Sequence, residues 1–277
     1  MTPPEDSELL LLAQKGDTAA LERLLLHHQS QIYRFGMKMC GNPEDARDVL
    51  QDSLLAMARS VRNFRGESSF STWLYSIARS FCVKKHRKSR FAPEEKSLDT
   101  DAGPEIARLE DSGRRPDAAV AALEIQEVIE NAIRKLEPAQ REVLILRDVE
   151  GLTAAEVGDV LGISVEAVKS RLHRARSLMR EYAAPALGIA PKMEAIPKTS
   201  TCPDLVTMFS GHLEGDIDST ACAAMEQHLQ DCERCRNTCD SLKKTLSLCR
   251  AGSGPEVPSA VQESVRHALR LFLTSRA

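Results

Sequence analysis

The stretch from Thr153 to Arg176 has the sequence TAAEVGDVLGISVEAVKSRLHRAR, and it decides the fold class. Thr153 and Glu156 fit a capping box, in which a hydroxyl caps the first turn of a helix and a glutamate bonds back to the capping residue. Gly162 fits the position just after a helix, where a positive φ is favoured, and Ser164 fits the start of the next helix. The pattern therefore predicts two short helices joined by a tight turn.

The second of these helices is predicted to be amphipathic. Its apolar residues recur every three or four positions on one face, namely Val165, Val168, Leu172, Ala175 and Met179. The other face is polar and basic, with Lys169, Ser170, His173 and Arg174 at its centre and Arg171 and Arg176 at its flanks. Such a helix suits a DNA major groove, where side chains contact base edges and cations bind phosphates. An ordinary helical hairpin with a solvated basic face is the alternative.

The rest of the chain also predicts helices, because no segment shows the alternation of a strand. The length of 277 residues suggests about two domains, and the expected fold class is all-α. Breaker-rich segments divide the chain into helical blocks 7–90, 118–184 and 201–250, a flexible acidic linker 91–117, a second linker 185–200, and a tail 251–277 with an amphipathic helix. No run approaches ~18 apolar residues, so we expect a cytoplasmic protein without membrane contact.

The net charge is only −3, but basic residues cluster in two places. Six bases and no acid lie between Arg79 and Arg90, and five bases and no acid lie between Lys169 and Arg180. Two separated basic patches suit two contacts on one long polyanion, although a charge run is often only a solvated face.

Three motifs in the second block resemble region 4 of the extracytoplasmic-function (group 4) sigma factors of the sigma-70 family. They are Leu136–Val143 (LEPAQREV), Arg147–Leu152 (RDVEGL) and Val168–Arg176 (VKSRLHRAR). The resemblance implies a helix-turn-helix domain that contacts the −35 promoter element. The residues implied in that contact are Lys169, Ser170, Arg171, His173, Arg174 and Arg176.

The first block resembles sigma region 2, a helical bundle. Its segment Pro43–Asp52 (PEDARDVLQD) is similar to the part of region 2 that binds core RNA polymerase at the β′ clamp helices. Asp45, Asp48 and Asp52 fall on one helix face, which without the resemblance would be only a solvated face. The docking residues that the resemblance implies are Asp45, Asp48, Gln51 and Asp52.

The segment Phe64–Arg79 (FRGESSFSTWLYSIAR) and the basic stretch after it are similar to the part of region 2 that opens the −10 element. Strand opening needs aromatic surfaces for an unstacked base and cations for the backbone. The implied contacts are Arg62, Phe64, Arg65, Ser69, Phe70, Trp73, Lys84, Lys85 and Arg87. The helical spacing of Trp73, Ile77 and Phe81 favours core packing for those three rings, so the loop 62–69 is the better candidate for holding a flipped base.

The third block holds an H-x3-C-x2-C motif formed by His228, Cys232 and Cys235. These three ligands suit zinc if the helix breaks near Asp231. A fourth ligand is needed, and the candidates are Cys202, Cys222, Cys239 and Cys249. In a continuous helix Cys239 would lie ~16 Å along the axis from His228, which is too far for both residues to bind one ion. A ligand from a separate helix is therefore favoured.

This block resembles a zinc-binding anti-sigma domain, and the resemblance implies Cys202 as the fourth ligand. It is also similar to the Cys-rich C-terminus of metal-responsive sigma factors, which implies copper, zinc or cadmium as effector. Cys222, Cys239 and Cys249 are then extra sensing thiols. Two alternatives stay open: a purely structural zinc with the surplus cysteines buried as apolar residues, or a response to thiol oxidation.

The sequence thus predicts a promoter-specificity subunit and not an enzyme. Its implied partners are core RNA polymerase, through the β′ clamp helices and the β flap, and promoter DNA; a separate anti-sigma factor is possible but not required. The alternative from another class is a helix-turn-helix regulator that never joins polymerase. A zinc hydrolase is rejected, because a Cys-rich tetrahedral site offers neither an open coordination position nor a general base.

Overall fold

The computed structural model describes residues 4–91, 116–189, 202–251 and 257–274, and every regular element in these ranges is helical. The first block contains α1 Pro4–Gln14, α2 Thr18–His27, α3 Gln29–Cys40, α4 Pro43–Ser60, a 3₁₀ turn Val61–Asn63 and α5 Phe70–Phe91. The second contains α6 Pro116–Lys135, α7 Pro138–Leu144, a π-helical turn Ile145–Val149, α8 Ala154–Leu161 and α9 Val165–Ala183. The C-terminal part contains α10 Leu205–Glu214, α11 Ser219–Asp231, α12 Glu233–Ala251 and α13 Ser259–Thr274. The predicted all-α class is confirmed.

The first bundle is built around the antiparallel pair α3 and α4. Gly41, with φ 77°, ends α3, and the Asn42 side chain accepts from the Asp45 amide to start α4. The two helices approach closely at Gly36, where a Cβ would lie 3.2 Å from the Ala46 Cα. The bundle thus holds α4, which carries the predicted docking carboxylates, on a rigid support.

The second bundle contains the predicted helix-turn-helix. Both halves of the capping box form between Thr153 and Glu156, Gly162 has φ 68°, and Ser164 accepts from the Ala167 amide. The predicted apolar stripe of α9 is buried at four of its five positions: Val168, Leu172, Ala175 and Met179. Local sequence therefore determines both the turn and the helix face that packs inwards.

The C-terminal part packs across both bundles. Helix α10 lies against α9, α12 lies against α9 and the π-helical turn, and α13 returns to α4 and α2. The two bundles also touch each other, because α5 packs against α8. One continuous apolar core includes residues from all three parts, and a small second core forms around Leu205, Met225 and Cys235.

Two of the predicted segments fall mostly outside the described residues. These are the acidic linker 91–117, of which only the ends are described, and the linker 185–200, which is described to residue 189. In the tail 251–277, where the sequence predicts an amphipathic helix, the structure has α13. In the part of the chain that the structure describes, no helix is both long and apolar enough to span a bilayer.

Candidate metal centre and nucleic-acid interface

The structure brings the four predicted metal ligands together. One ligand atom from each of Cys202, His228, Cys232 and Cys235 lies within 4.8 Å of all the others. The helix breaks where the motif requires it: α11 ends at Asp231, and Cys232 is extended, with φ −118° and ψ 101°. This break turns the last turn of α11 and the first turn of α12 towards one point beside the start of α10.

The donor set fits zinc. The Sγ atoms of Cys202 and Cys232 are 3.9 Å apart, and a tetrahedral zinc with bonds of about 2.3 Å separates its sulfur ligands by about 3.8 Å. The buried Nε2 of His228 has no hydrogen-bond partner among the described residues, as expected of a metal ligand. Burial and the neighbouring thiols raise the pKa of Cys235 to about 12, and a metal ion bound beside it is what would let this thiol ionise.

The surplus cysteines lie outside the metal centre. Cys239 and Cys249 are buried in the large core, and burial raises the pKa of both thiols, that of Cys249 to about 12. They are core residues and are not available as sensing ligands in this arrangement. The signal was present in the sequence, because α12 repeats buried residues four and three apart: Cys235, Cys239, Leu242, Leu246 and Cys249. Cys222 is half-buried, with its Sγ 3.5 Å from His212 Nδ1.

Helix α10 covers part of the predicted DNA-reading face of α9. Lys169 forms an ion pair with Asp216, just after α10. The Nε2 atom of His173 lies 3.0 Å from the Thr207 hydroxyl of α10. Of the other predicted −35 contacts, Ser170 and Arg174 are exposed and Arg171 is half-buried. The face is thus divided between a covered edge and an open edge.

Arg176 is the largest departure from the predicted −35 contacts. Its side chain is 0% exposed and forms two parallel bonds of 2.8 Å to the Asp148 carboxylate. It also donates to the Ser210 hydroxyl and to Glu214 of α10, each at 2.7 Å. A guanidinium in this position cannot contact a phosphate. The sequence carried a signal for its burial, because Arg176 lies four residues after Leu172 and so on the apolar face.

Glu214 is a functional candidate that sequence reasoning missed. Only 3% of its side chain is exposed. One oxygen accepts from Arg176 at 2.7 Å and the other from Arg147 at 2.9 Å, so a carboxylate of the C-terminal block completes a charge cluster in the second bundle. No local pattern marks this residue, since its partners are 38 and 67 positions away.

The segment Phe64–Arg79, which carries several of the predicted −10 residues, is bonded to the second bundle through Ser69 and through two residues outside that prediction, Tyr75 and Arg79. The Ser69 hydroxyl donates to Glu156 of the capping box at 3.0 Å, the Tyr75 hydroxyl donates to Glu150 at 2.6 Å, and Arg79 bonds to Glu142 at 3.1 and 3.2 Å. The loop that should hold a flipped base is therefore tied to α8 at its last residue, Ser69, while Arg62, Arg65 and Glu67 within it stay exposed.

Phe70 also departs from its predicted role. Its ring is 2% exposed and packs between His28, Phe64 and Trp73, with ring centroids 5.0 to 6.1 Å apart. It forms the core under the loop and does not offer a surface to a base. Phe64 and Trp73 are half-buried. Arg62, Arg65 and Lys84 are exposed, and the Arg87 side chain lies outside the described residues.

The predicted docking carboxylates form a partly exposed group on α4. Lys85 bonds to Asp45 at 3.3 Å and also to Asp48, so a predicted −10 residue pairs with two predicted docking residues. Gln51 is half-buried and Asp52 is exposed. Asp45 additionally accepts from the Asn42 side chain at 2.7 Å, which gives it a structural role at the start of the helix.

Comparison with known families matches the three parts in the same order. Sigma-70 region 2 matches residues 24–91, Sigma-70 region 4 matches residues 126–179, and a zinc-finger family matches residues 202–236. The RNA polymerase sigma-H factor of Pseudomonas aeruginosa is 30% identical over 193 residues, which cover 68% of this chain and 98% of that protein. The chain belongs to the extracytoplasmic-function sigma factors of the sigma-70 family.

One further relative and one solved structure are similar to this sigma factor. The sigma factor SigW of Bacillus subtilis is 29% identical over 170 residues, which cover 61% of this chain and 91% of the relative. A solved structure of CnrH in complex with the cytosolic domain of CnrY aligns with 25% identity and a TM-score of 0.44, over 63% of this chain and 94% of that chain. As a sigma factor, the protein acts in transcription initiation with RNA polymerase and promoter DNA, and its residues 202–236 match a zinc-finger family.

We expect that replacing Asp48 and Asp52 together by Ala weakens association with core RNA polymerase by at least about tenfold, or about 1.4 kcal/mol. Thermal stability should hardly change, because the Asp48–Lys85 pair is partly exposed and such pairs contribute at most about 1 kcal/mol. Asp45 is left in place because of its bond to Asn42. Binding is measured with purified core enzyme, and exposed Glu44→Ala on the same helix is the control. Unchanged binding of the double variant would remove the docking assignment.

We expect Arg174→Ala to weaken binding of the holoenzyme to the −35 element by about 1–3 kcal/mol, because the exposed guanidinium lies on the open edge of α9. A base contact should relax the preference at one promoter position, whereas a phosphate contact should weaken all sequences equally and lower the salt dependence. The measurement is promoter affinity across single-base variants, with exposed Arg266→Ala of α13 as control. Equal weakening on every sequence would contradict base reading.

Proposed function

We propose that this sigma factor is held inactive in cis by its C-terminal block, and that the metal centre sets the balance between the closed form and a transcribing form. The observation that carries the proposal is the packing of α10 on α9, which engages Lys169, His173 and Arg176 with side chains of the C-terminal block. In the proposed open form, α9 binds the −35 element, the region 2 loop opens the −10 element, and α4 binds the β′ clamp helices while the second bundle contacts the β flap.

The contact between the two bundles supports a closed form. The −10 and −35 elements are about 25 base pairs apart, which is about 85 Å at 3.4 Å per base pair. Here the −10 loop bonds to the capping box of the helix-turn-helix through Ser69 and Glu156. The two reading surfaces therefore cannot reach both elements at once, and transcription requires the bundles to separate.

Helix α13 adds a second restraint on the first bundle. It packs against α4, the helix that carries the docking carboxylates, and the Arg59 guanidinium of α4 lies 5.3 Å above the Phe272 ring. Arg270 of α13 pairs with Glu22 of α2 at 3.2 Å. Val265 and Leu269 are buried in this contact. We infer that α13 hinders polymerase docking while α10 hinders promoter reading.

The position of the metal ligands supports a role for the metal in both restraints. Cys202 precedes α10 by three residues, and the other ligands close the joint between α11 and α12. Because the four ligands converge in the closed form, zinc should bind the closed form more tightly than the open form and so stabilise it. An agent that removes zinc, such as a competing soft cation (copper or cadmium) or an oxidant of the thiols, should then favour the open form. A zinc that never leaves would act as a structural ion only.

The test compares the full-length chain loaded with zinc and stripped by a chelator, in run-off transcription with core polymerase. The zinc-loaded form is expected to transcribe less, and adding zinc back should restore the inhibition. Equal activity of the two forms would contradict metal control, whereas high activity of both would contradict inhibition in cis. We place this activity in the cytoplasm, where the polymerase acts.

A further inference from the structure

A second group of metal-ligand side chains lies in the first bundle, far along the chain from the cysteine cluster. It consists of Asp6 of α1, His27 at the end of α2 and His28 between α2 and α3, whose ligand atoms lie within 4.8 Å of one another. The Asp6 side chain is 1% exposed. Its Oδ1 is 2.7 Å from His27 Nδ1 and its Oδ2 is 3.1 Å from His28 Nε2. A carboxylate buried to this degree requires positive charge beside it.

A chain of hydrogen bonds determines which nitrogen of His28 carries a hydrogen. Tyr75 donates its only hydroxyl hydrogen to the Glu150 carboxylate at 2.6 Å. The Tyr75 oxygen therefore accepts from Gln31 Nε2 at 2.6 Å, which leaves Gln31 Oε1 facing His28 Nδ1 at 3.0 Å. A carbonyl oxygen can only accept, so Nδ1 of His28 is the donor.

This assignment leaves a place for a cation between His28 and Asp6. With the hydrogen on Nδ1, a neutral His28 presents the Nε2 lone pair to Asp6 Oδ2, which as a carboxylate oxygen can also only accept. Two acceptors 3.1 Å apart must share either a second ring proton or a metal ion. Histidine ligands of metals characteristically donate their other ring N–H to a fixed acceptor, and Gln31 is in that position.

We propose that Asp6, His27 and His28 bind a divalent transition-metal ion at a site separate from the cysteine cluster. Two imidazoles and one carboxylate favour ions such as Zn²⁺, Co²⁺ or Ni²⁺, and not the soft ions that thiolates select. Bonds of about 2.0–2.2 Å require the ligand atoms to move slightly apart from their present 2.7 and 3.1 Å. The His27 side chain is 52% exposed, so it is free to turn and gives the ion a path from solvent.

The proposed metal site contacts the support of the loop 62–69, the candidate for holding a flipped −10 base. The His28 ring packs against the Phe70 ring at 5.0 Å, directly under the loop, and the Gln31–Tyr75 chain ends at Glu150 in the second bundle. Gln14, at the other end of α1, donates to the Phe64 carbonyl at 2.7 Å. An ion that anchors α1 to His27 and His28 therefore stiffens the support of the loop.

The test titrates the zinc-loaded, full-length chain with Co²⁺. We expect about one further ion per chain, with the d–d absorption of cobalt in nitrogen and oxygen ligands and without sulfur-to-cobalt charge transfer. His27→Gln should lower cobalt affinity by at least about tenfold, in line with the loss of a ligand or its support. His267→Gln, an exposed histidine of α13, should bind cobalt as the wild type does.

Zinc content measured before and after the titration shows whether the cysteine cluster keeps its ion. The proposal is overturned if the zinc-loaded wild type binds no further cobalt, or if His27→Gln binds it unchanged while keeping its helicity. In either case Asp6 contacts the two histidines without forming a metal site with them. This test does not depend on the proposed regulation in cis, because it measures metal binding and not transcription.

Discussion

Glu214→Ala is expected to raise the affinity of the full-length, zinc-loaded sigma factor for a −35 duplex by at least about tenfold. Glu214 is the carboxylate that the C-terminal block adds to Arg147 and Arg176, at 2.9 and 2.7 Å. Removing one member of a buried ionic group costs about 3–5 kcal/mol. We expect the pair between Asp148 and Arg176 to persist in the closed and the open form, so the cost of removing Glu214 is smaller than this range. The remaining cost falls on the closed form alone, so the population of the open form rises.

The measurement is fluorescence anisotropy with a labelled −35 duplex, accompanied by thermal unfolding. Asp216→Ala should have a much smaller effect, because the Asp216–Lys169 pair is partly exposed and worth at most about 1 kcal/mol. Glu226→Ala, an exposed glutamate of α11, is the charge-matched control. If Glu214→Ala binds no more tightly than Glu226→Ala, the cluster is not what holds α10 on α9.

Much of the fold could be predicted because its signals are local. The capping box at Thr153, the turn at Gly162 and the stripe of α9 each depend on residues within one or two helical turns. The metal centre was predictable for a similar reason, since the spacing of His228, Cys232 and Cys235 needs only a break at Asp231. The match of Cys202 rested on the family resemblance, and the structure brings it to the same point.

The departures concern packing between distant parts. The sequence of α9 gives Arg176 the same basic character as Arg174, but α10 and Asp148 enclose the first and leave the second exposed. Phe70 was interpreted as a DNA contact because it begins a conspicuous aromatic motif, yet its ring fills the core below the loop. Charge and aromaticity indicate a function, whereas the helical position of a residue indicates on which side it lies.

The same distinction applies to the thiols of α12. Cys239 and Cys249 attracted a sensing interpretation because they exceed what one zinc needs. Each lies three residues from a buried leucine, Cys239 from Leu242 and Cys249 from Leu246, which places both in the core, where free cysteine behaves as a small apolar residue. Cys222, in contrast, lies outside the buried core and has His212 as a polar neighbour.

Cys232→Ser is expected to abolish high-affinity zinc binding and to leave the sigma factor constitutively active. Cys232 is the residue at which the chain turns from α11 into α12, and its sulfur faces Cys202 at 3.9 Å. A small module gains much of its folding energy from its ion, so losing one thiolate should loosen the joint and release α10 and α13. Zinc stoichiometry and run-off transcription, with and without added zinc, measure the two effects together.

Cys239→Ser separates this outcome from a general loss of stability. The new hydroxyl lies in the core and should cost about 1–3 kcal/mol of unfolding free energy, but the four ligands are untouched. The variant should therefore bind one zinc and still be inhibited by it, although it melts at a lower temperature. Constitutive activity in both variants would mean that weakening the block by any route opens the protein. Inhibition that persists in Cys232→Ser would mean that the closed form holds without its metal, and that the zinc is structural at most.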